Sequence, residues 1–217
     1  MKKSEIEAID NYKYERIAKE LGYKVIVGTD EAGRGPLIGP VVAAACYIPD
    51  GFKLDGLTDS KKLTEKKREE MYNYLINNTI YGIGIVDAKE IDEINIYEAS
   101  RKAMMIAINS IRDKINVDYV LSDAMPIDYD IKVEPIIKGD LLSISIAAAS
   151  VIAKVTRDHM MIELDNKYPQ YGFKSHKGYP TRKHYDALNK YGLIDGYRKT
   201  YGPVKKILEG ERLWFYY

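Results

Sequence analysis

Two apolar runs, YKVIVGTD at residues 23–30 and VVAAACYI at 41–48, stand on either side of a segment that holds Gly33, Gly35, Pro36, Gly39 and Pro40. Short apolar runs bounded by Gly and Pro read as strands, and two joined without room for a helix read as a hairpin. Parallel neighbours need a long crossover, so a doubly wound parallel sheet is not the natural architecture. Three further runs read as strands: TIYGIGIVD (79–87), VDYVLSD (117–123) and IKVEPIIKG (131–139). Helical spacing fills the intervals. One helix covers 61–78, capped by Asp59 or Ser60, with Leu63, Met71, Leu75 and Ile76 on its buried side. A long helix at 92–115 turns Ile96, Ala99, Ala103, Ile106 and Ile115 toward a sheet, and another runs from Leu142 to Lys167 with small residues at 147–150. Residues 4–20 form an amphipathic helix through Ile6, Ile9, Tyr12, Ile17 and Ala18, ended by Gly22. Five strands with intervening helices describe one mixed α/β domain.

Charge is balanced in sum and unbalanced in place. The 217 residues carry 33 Lys plus Arg and 32 Asp plus Glu, a formal charge of +1. From Tyr171 to Lys206, however, nine Lys or Arg face two Asp or Glu, a net +7. Tyr171, Phe173, Tyr179, Tyr185, Tyr191, Tyr197 and Tyr201 interleave with those charges, a pattern suited to phosphate contacts with sugar or base stacking, or simply to capping a core. One cysteine excludes an intrachain disulfide and a thiolate metal cluster and points to a reducing compartment. No apolar run approaches the roughly 20 residues of a membrane span, and the amino terminus lacks a signal-peptide centre. A cytoplasmic protein is expected.

Acids sit where the strands end. TDEAGRGP (29–36) places Asp30 and Glu31 at the end of the first strand, before a turn in which Gly33 and Gly35 permit close approach and Arg34 offers a planar donor fork to phosphate. A surface turn with an Asp–Arg pair is the plainer alternative, and the pattern of an ATPase phosphate loop is missing. VLSD ends on Asp123, presented at the sheet edge or acting as a turn former, and IIKGD ends on Asp140, a site acid or a helix cap. Asp158, beside Arg157 within a helix, reads as structural or as a support behind the site. If the sheet brings Asp30, Glu31, Asp123 and Asp140 together, their hard oxygens favour Mg²⁺ or Mn²⁺ over zinc. Two such ions beside a basic, Tyr-rich segment match hydrolysis of a nucleic-acid phosphodiester.

Several separated motifs carry a resemblance to the type 2 ribonuclease H family of bacterial ribonuclease HII, over roughly Tyr14 to Lys206. They are GTDEAGRGPLIGPVVAAA (28–45), LTDSKKLTEKKRE (57–69), IDEINIYEAS, VLSDAMP, IIKGDLLSISIAAASVIAKVTRD (136–158) and YPQYGFKSHKGYPTRKHYDAL (168–188). The resemblance implies a ribonuclease-H-like mixed β-sheet flanked by helices, with a small C-terminal helical region. It implies that Asp30, Glu31, Asp123 and Asp140 are the catalytic, metal-binding acids. Gly33, Arg34 and Gly35 then help to read the 2′-hydroxyl at an RNA-to-DNA junction, and Tyr179 senses that junction. The substrate implied is the RNA strand of an RNA–DNA hybrid, or a single ribonucleotide in duplex DNA cut on its 5′ side to leave 3′-hydroxyl and 5′-phosphate ends. Ala124 departs from the family pattern, where glycine is common, and so does DGYRKTY at 195–201.

On this reading residues 1–20 are a helical extension, 21–167 the catalytic core and 168–217 a basic substrate-binding region. Lys138, Lys154 and Lys177 are candidates for phosphate positioning, each also readable as a solvated charge, and Thr181 supports Tyr179. No membrane and no obligate protein partner is expected, and the chain is taken as a monomer. Two rivals stand beside a ribonuclease: a hybrid-binding protein whose acids are structural, and a DNA-directed nuclease of similar fold.

Overall fold

The computed structural model describes residues 10–52 and 64–214. Its sheet has the order β3-β2-β1-β4-β5, with β1 (Ile26–Ala32) at the centre. The expected hairpin is present: β1 pairs antiparallel with β2 (Val41–Tyr47), Asp30 opposite Ala44, and β2 pairs antiparallel with β3 (Ile80–Val86). On its other side β1 runs parallel to β4 (Tyr119–Asp123), which runs parallel to β5 (Lys132–Ile136). The carboxyl ends of β1, β4 and β5 therefore lie along one edge of the sheet, and that is where the acids were read.

Strand β2 is buried on both faces. Val41, Ala43 and Ala45 pack in the cluster that includes α3 (Ala88–Arg112), whereas Ala44 and Cys46 pack in the one that includes α5 (Ile144–Lys167). Glycines set how closely the helices approach. A Cβ built at Gly82 or Gly84 would lie 2.3 or 1.9 Å from the carbonyl oxygens of Ala107 and Ala103 in α3. One at Gly28 would lie 2.2 Å from the backbone nitrogen of Ile146, so the start of α5 rests directly on β1.

Three helix boundaries differ from the periodicity. The cap of α2 (Glu65–Asn78) is Thr64, whose hydroxyl accepts from the Lys67 N–H; Asp59 and Ser60 lie outside the described residues. Helix α3 kinks at Asn95, whose φ of 68° interrupts it while its side-chain oxygen accepts from the N–H groups of Tyr97 and Glu98, in effect capping a second helix. Before α5 the chain makes a separate short helix, α4 (Gly139–Leu142), carrying Asp140, and Ser143 caps α5 by accepting from Ile146. Helix α1 (Lys13–Glu20) buries Ala18 against Ile26, Tyr119, Leu121 and Ile146; residues 4–9 of the expected helix lie outside the description.

The C-terminal segment is a small helical region, with a turn at Pro169–Tyr171, α6 (Phe173–His176), α7 (Arg182–Tyr191) and α8 (Gly202–Leu208). It has its own core, in which Tyr171, Phe173, Leu188, Tyr197 and Val204 meet Leu37, Ile38 and Met161 of the main body. This corrects the reading of its aromatics as a stacking surface: Tyr171, Phe173 and Tyr197 are at most 4% exposed, and only Tyr179 and Tyr191 stand out at 41% and 44%. The rings supply much of that core's buried area beside the aliphatic Leu188, Val204 and Leu213.

Candidate active site

Asp30 leaves β1 at the sheet edge and is buried. Its Oδ1 accepts from the Glu31 N–H at 2.7 Å, and the Ser150 hydroxyl on α5 also hydrogen-bonds to it. Burial raises the Asp30 carboxyl well above the usual carboxylate range, with the charges of Glu31 and then Asp123 pushing the same way. Burial also raises Glu31, opposed by Arg34, whose Nη1 donates to Glu31 Oε1 at 3.2 Å. Asp123, at the end of β4, accepts from the Gly139 N–H at 2.8 Å, which ties it to the bend whose next residue is the buried Asp140.

A cleft of about 290 Å³ collects these groups. Asp30, Glu31 and Asp123 line it with Gly33, Arg34, Gly35, Lys154 and Tyr179, eight of the residues read from the sequence. A Cβ at Gly35 would lie 3.2 Å from Cε1 of Tyr179, so the tyrosine ring sits against the glycine turn although 144 positions separate them in the chain. Asp140 is joined to the cleft through Gly139 and does not line it.

Lys138, Lys177 and Thr181 fall outside the lining. Lys138 and Lys177 both adopt the left-handed backbone, with φ 60° and 50°, at the start of α4 and the end of α6. Lys177 directs its amine to the Lys174 carbonyl at 2.5 Å and to Glu65 at 3.5 Å. Thr181 caps α7, its hydroxyl accepting from the His184 N–H. Lys154 lines the cleft and pairs with Asp158 at 2.5 Å; burial lowers the Lys154 amine, with Asp158 opposing.

Four residues of the site escaped sequence reading. Arg68 on α2 and Ser150 on α5 line the cleft; Arg157 and Arg198 lie buried beneath the glycine turn. Ser150 stood within a run read only as small, and arginines in a basic chain read as surface charge. DGYRKTY belongs to this framework. Arg198 is buried, and the Lys199 and Thr200 N–H groups donate to Asp92 on α3 at 2.7 and 2.9 Å.

The donor set fits a hard divalent cation. Among the described residues no three Asp, Glu, His or Cys side chains already stand at ligating distance about one point. Yet three carboxylates share a partly buried cleft, and burial, followed by the charges of Glu31 and Asp123, disfavours the ionised Asp30 in a way that a bound cation would offset. Among the described residues no helix is long and apolar enough to cross a membrane.

Comparison with known proteins agrees with this geometry. The family model for ribonuclease HII matches residues 27–201. Ribonuclease HII of Bacillus subtilis (strain 168) is 53% identical over 193 residues, covering 88% of this chain and 75% of that protein. The crystal structure of ribonuclease H2 from Pyrococcus horikoshii OT3 superposes with a TM-score of 0.73 at 30% identity, over 86% of this chain and 98% of the other. The crystal structure of Bst-RNase HIII in complex with Mn²⁺ shares the fold alone, with a TM-score of 0.66 at 17% identity over 88% of this chain and 71% of that one. With its mixed sheet, its carboxylates at one sheet edge and these matches, the chain belongs to the ribonuclease HII family, metal-dependent endoribonucleases that act on RNA–DNA hybrids and on ribonucleotides in DNA.

Proposed function

We propose that the enzyme cuts 5′ of a ribonucleotide embedded in duplex DNA, leaving 3′-hydroxyl and 5′-phosphate ends, through the cleft that Asp30, Glu31 and Asp123 share with Tyr179. The observation that carries this reading is the placement of the Gly33–Arg34–Gly35 turn against the Tyr179 ring beside the acids. Asp30, Glu31, Asp123 and Asp140 hold two Mg²⁺ or Mn²⁺ ions; Mn²⁺ in the related RNase HIII supports a divalent-ion site on this fold. Bound there, such ions supply an activated water and neutralise charge developing on the phosphoryl oxygens.

The chain's own groups do the positioning. The Gly139 N–H orients the Asp123 carboxylate. Ser150 and the Glu31 N–H orient Asp30. Arg34, Arg68 and Lys154 place positive charge along the cleft for the phosphate backbone, and Lys138 and Lys177, outside its lining, are further candidates for phosphate contact. The turn and Tyr179 meet the ribose, where a 2′-hydroxyl offers the donor and acceptor that DNA lacks, and Thr181 supports the tyrosine as the cap of α7. Residues 21–167 are the catalytic core, 168–217 the substrate-binding region and 1–20 a helical extension. The enzyme works in the cytoplasm as a monomer without an obligate protein partner.

The test is cleavage of three duplexes, all-DNA, single-ribonucleotide and long hybrid, with Mg²⁺ or Mn²⁺. Asp123→Asn is expected to lose roughly 10³-fold or more in kcat/KM, as for a group acting at the reaction centre. Retention of the wild-type rate removes Asp123 from the metal site. Binding without cleavage would indicate a hybrid-binding protein, and cutting of the all-DNA duplex a DNA-directed nuclease. Tyr179→Ala is expected to impair junction selection more than Tyr179→Phe, and equal behaviour on every substrate would remove Tyr179 from recognition.

A further inference from the structure

Arg157 and Arg198 are among the largest side chains that the protein buries completely, 1% and 0% exposed, and among the described residues neither has a carboxylate within ion-pair distance. A guanidinium taken out of water is costly unless its donors are satisfied. Here main-chain carbonyls satisfy them, and nearly all belong to one stretch. Arg198 donates from Nε to Gly39 at 3.0 Å, from Nη1 to Arg34 at 2.9 Å and from Nη2 to Gly33 at 2.6 Å. Arg157 donates from Nε to Pro40 at 3.0 Å and from Nη2 to Ile38 at 3.2 Å. The Tyr201 hydroxyl donates to the Arg34 carbonyl at 2.6 Å and accepts from Arg198 Nη1 at 2.9 Å.

The stretch from Gly33 to Pro40 lies between β1 and β2, outside both strands, and its β-bridge from Ile38 to Tyr197 fixes only the Leu37 carbonyl, which accepts from the Arg198 N–H at 2.9 Å. The two guanidinium forks fix the carbonyls of Gly33, Arg34, Ile38, Gly39 and Pro40. Arg157 reaches further, its Nη1 donating at 3.0 Å to the Lys177 carbonyl, two residues before Tyr179. The backbone closes the same seam, with Leu37 N–H donating to Gly178 at 2.8 Å and Gly39 N–H to Gly196 at 2.9 Å. Gly33, with φ 102°, admits Arg157 at all, because a Cβ there would lie 2.2 Å from its Nε. One side chain thus touches both the glycine turn and the loop that carries the tyrosine.

We propose that Arg157 and Arg198 are positioning residues for ribose discrimination: they hold the Gly33–Arg34–Gly35 turn and Tyr179 at one fixed spacing, so that the C-terminal region sets substrate selectivity as well as affinity. This rests on the reading of the turn and Tyr179 as the pair that meets the ribose. Fork geometry is essential to it. A lysine keeps the charge but places one compact ammonium where the planar fork bridges Gly33, Arg34 and Gly39.

Arg198→Lys, Tyr201→Phe, Tyr179→Ala and the core variant Leu188→Ala are compared with the wild type by thermal denaturation and by kcat/KM on the single-ribonucleotide, long-hybrid and all-DNA duplexes. Leu188 packs in the same C-terminal core and serves as the control for lost stability alone. Arg198→Lys is expected to lower kcat/KM on the single-ribonucleotide duplex by roughly 10–100-fold, with a smaller loss on the long hybrid, as for a misplacement of the reading groups by about 1 Å. Tyr201→Phe shifts the same ratio in the same direction by a smaller factor, and decides the matter if Arg198→Lys does not fold. Leu188→Ala lowers Tm and leaves the ratio unchanged. A ratio that follows Tm equally in all three variants overturns the positioning role. If Tyr179→Ala collapses the ratio while Arg198→Lys and Tyr201→Phe leave it intact, the positioning inference alone fails; if Tyr179→Ala also leaves it intact, the ribose-reading pair itself is wrong.

Discussion

Ala124 follows the acid of β4 with φ 52°, in the left-handed region that favours glycine. Its N–H still donates to Ile136 at 3.0 Å, so the conformation is imposed by the junction between β4 and β5 and is not a free loop choice. A Cβ in that region costs about 1–2 kcal/mol. A glycine at this position would adopt the conformation without that cost, and alanine here carries strain one residue from Asp123. Ala124→Gly is expected to stabilise the protein by roughly 1 kcal/mol, a rise in Tm of about 2–4 °C, with cleavage retained. Thermal denaturation beside a cleavage assay checks it, and an unchanged or lower Tm would show that the turn is unstrained.

Strands were legible at the scale of elements because their message is local. Apolar runs with Gly and Pro between them identified all five strands and the β1–β2 hairpin. Side-chain hydrogen bonds were harder to see. The Asn95 kink arises from an asparagine adopting positive φ and capping its own successor helix, and helical periodicity passes over it. The buried arginines were illegible for a different reason: most of their partners are backbone carbonyls more than 110 positions away, which no spacing within the sequence encodes. A count of Lys, Arg, Asp and Glu passes over the histidines of the C-terminal helices, whereas the structure stacks His176 and His184 with ring centroids 4.4 Å apart in a buried core.

Those two rings are neutral by their partners. His184 donates from Nδ1 to the Tyr179 carbonyl at 2.9 Å and accepts from the Tyr197 hydroxyl at Nε2, 2.8 Å. His176 donates from Nε2 to the Tyr171 carbonyl and accepts from the Gly178 N–H at Nδ1. Burial lowers both, His184 to about 4 from an ordinary 6.5. Between those values the unfolded chain takes up a proton that the folded chain refuses. The stabilising contribution is therefore complete above about pH 6.5 and declines as pH falls toward 4, by on the order of 3 kcal/mol for His184 alone. His184→Asn, which can still donate and accept without titrating, is expected to have a lower Tm at pH 8 but a flatter decline down to pH 4. Parallel slopes for the two proteins would assign the acid sensitivity to other groups.

Across the whole molecule the formal +1 conceals a separation: the sheet edge gathers carboxylates while the segment from Tyr171 to Lys206 carries +7. The fold brings these regions to one cleft, because β1 delivers Asp30 and the glycine turn, β4 delivers Asp123, and the C-terminal region returns to place Tyr179 over Gly35. The acids were readable from strand ends, and so was the repulsion expected if the sheet gathers them; the burial of Asp30 against Ser150 of α5, the larger cause of its raised carboxyl, was not. That burial has a global consequence. With the Asp30 carboxyl raised, the folded state binds a proton more readily than the unfolded chain, so stability without metal declines as pH rises through the folded-state value. A divalent cation binding the folded state reverses the loss, by about 2.7 kcal/mol at a hundredfold excess over Kd, or roughly 5–10 °C in Tm for a chain of this size. Chelation with EDTA should therefore lower Tm more at pH 8 than at pH 5. Asp30→Asn should raise the Tm of the metal-free protein, abolish most of the Mn²⁺-induced rise, and abolish cleavage. If Asp30→Asn lowers the metal-free Tm, then Asp30 is held by its hydrogen bonds to Ser150 and Glu31 more strongly than its neighbours repel it, and the cleft would not be the strained, cation-seeking site that its burial indicates.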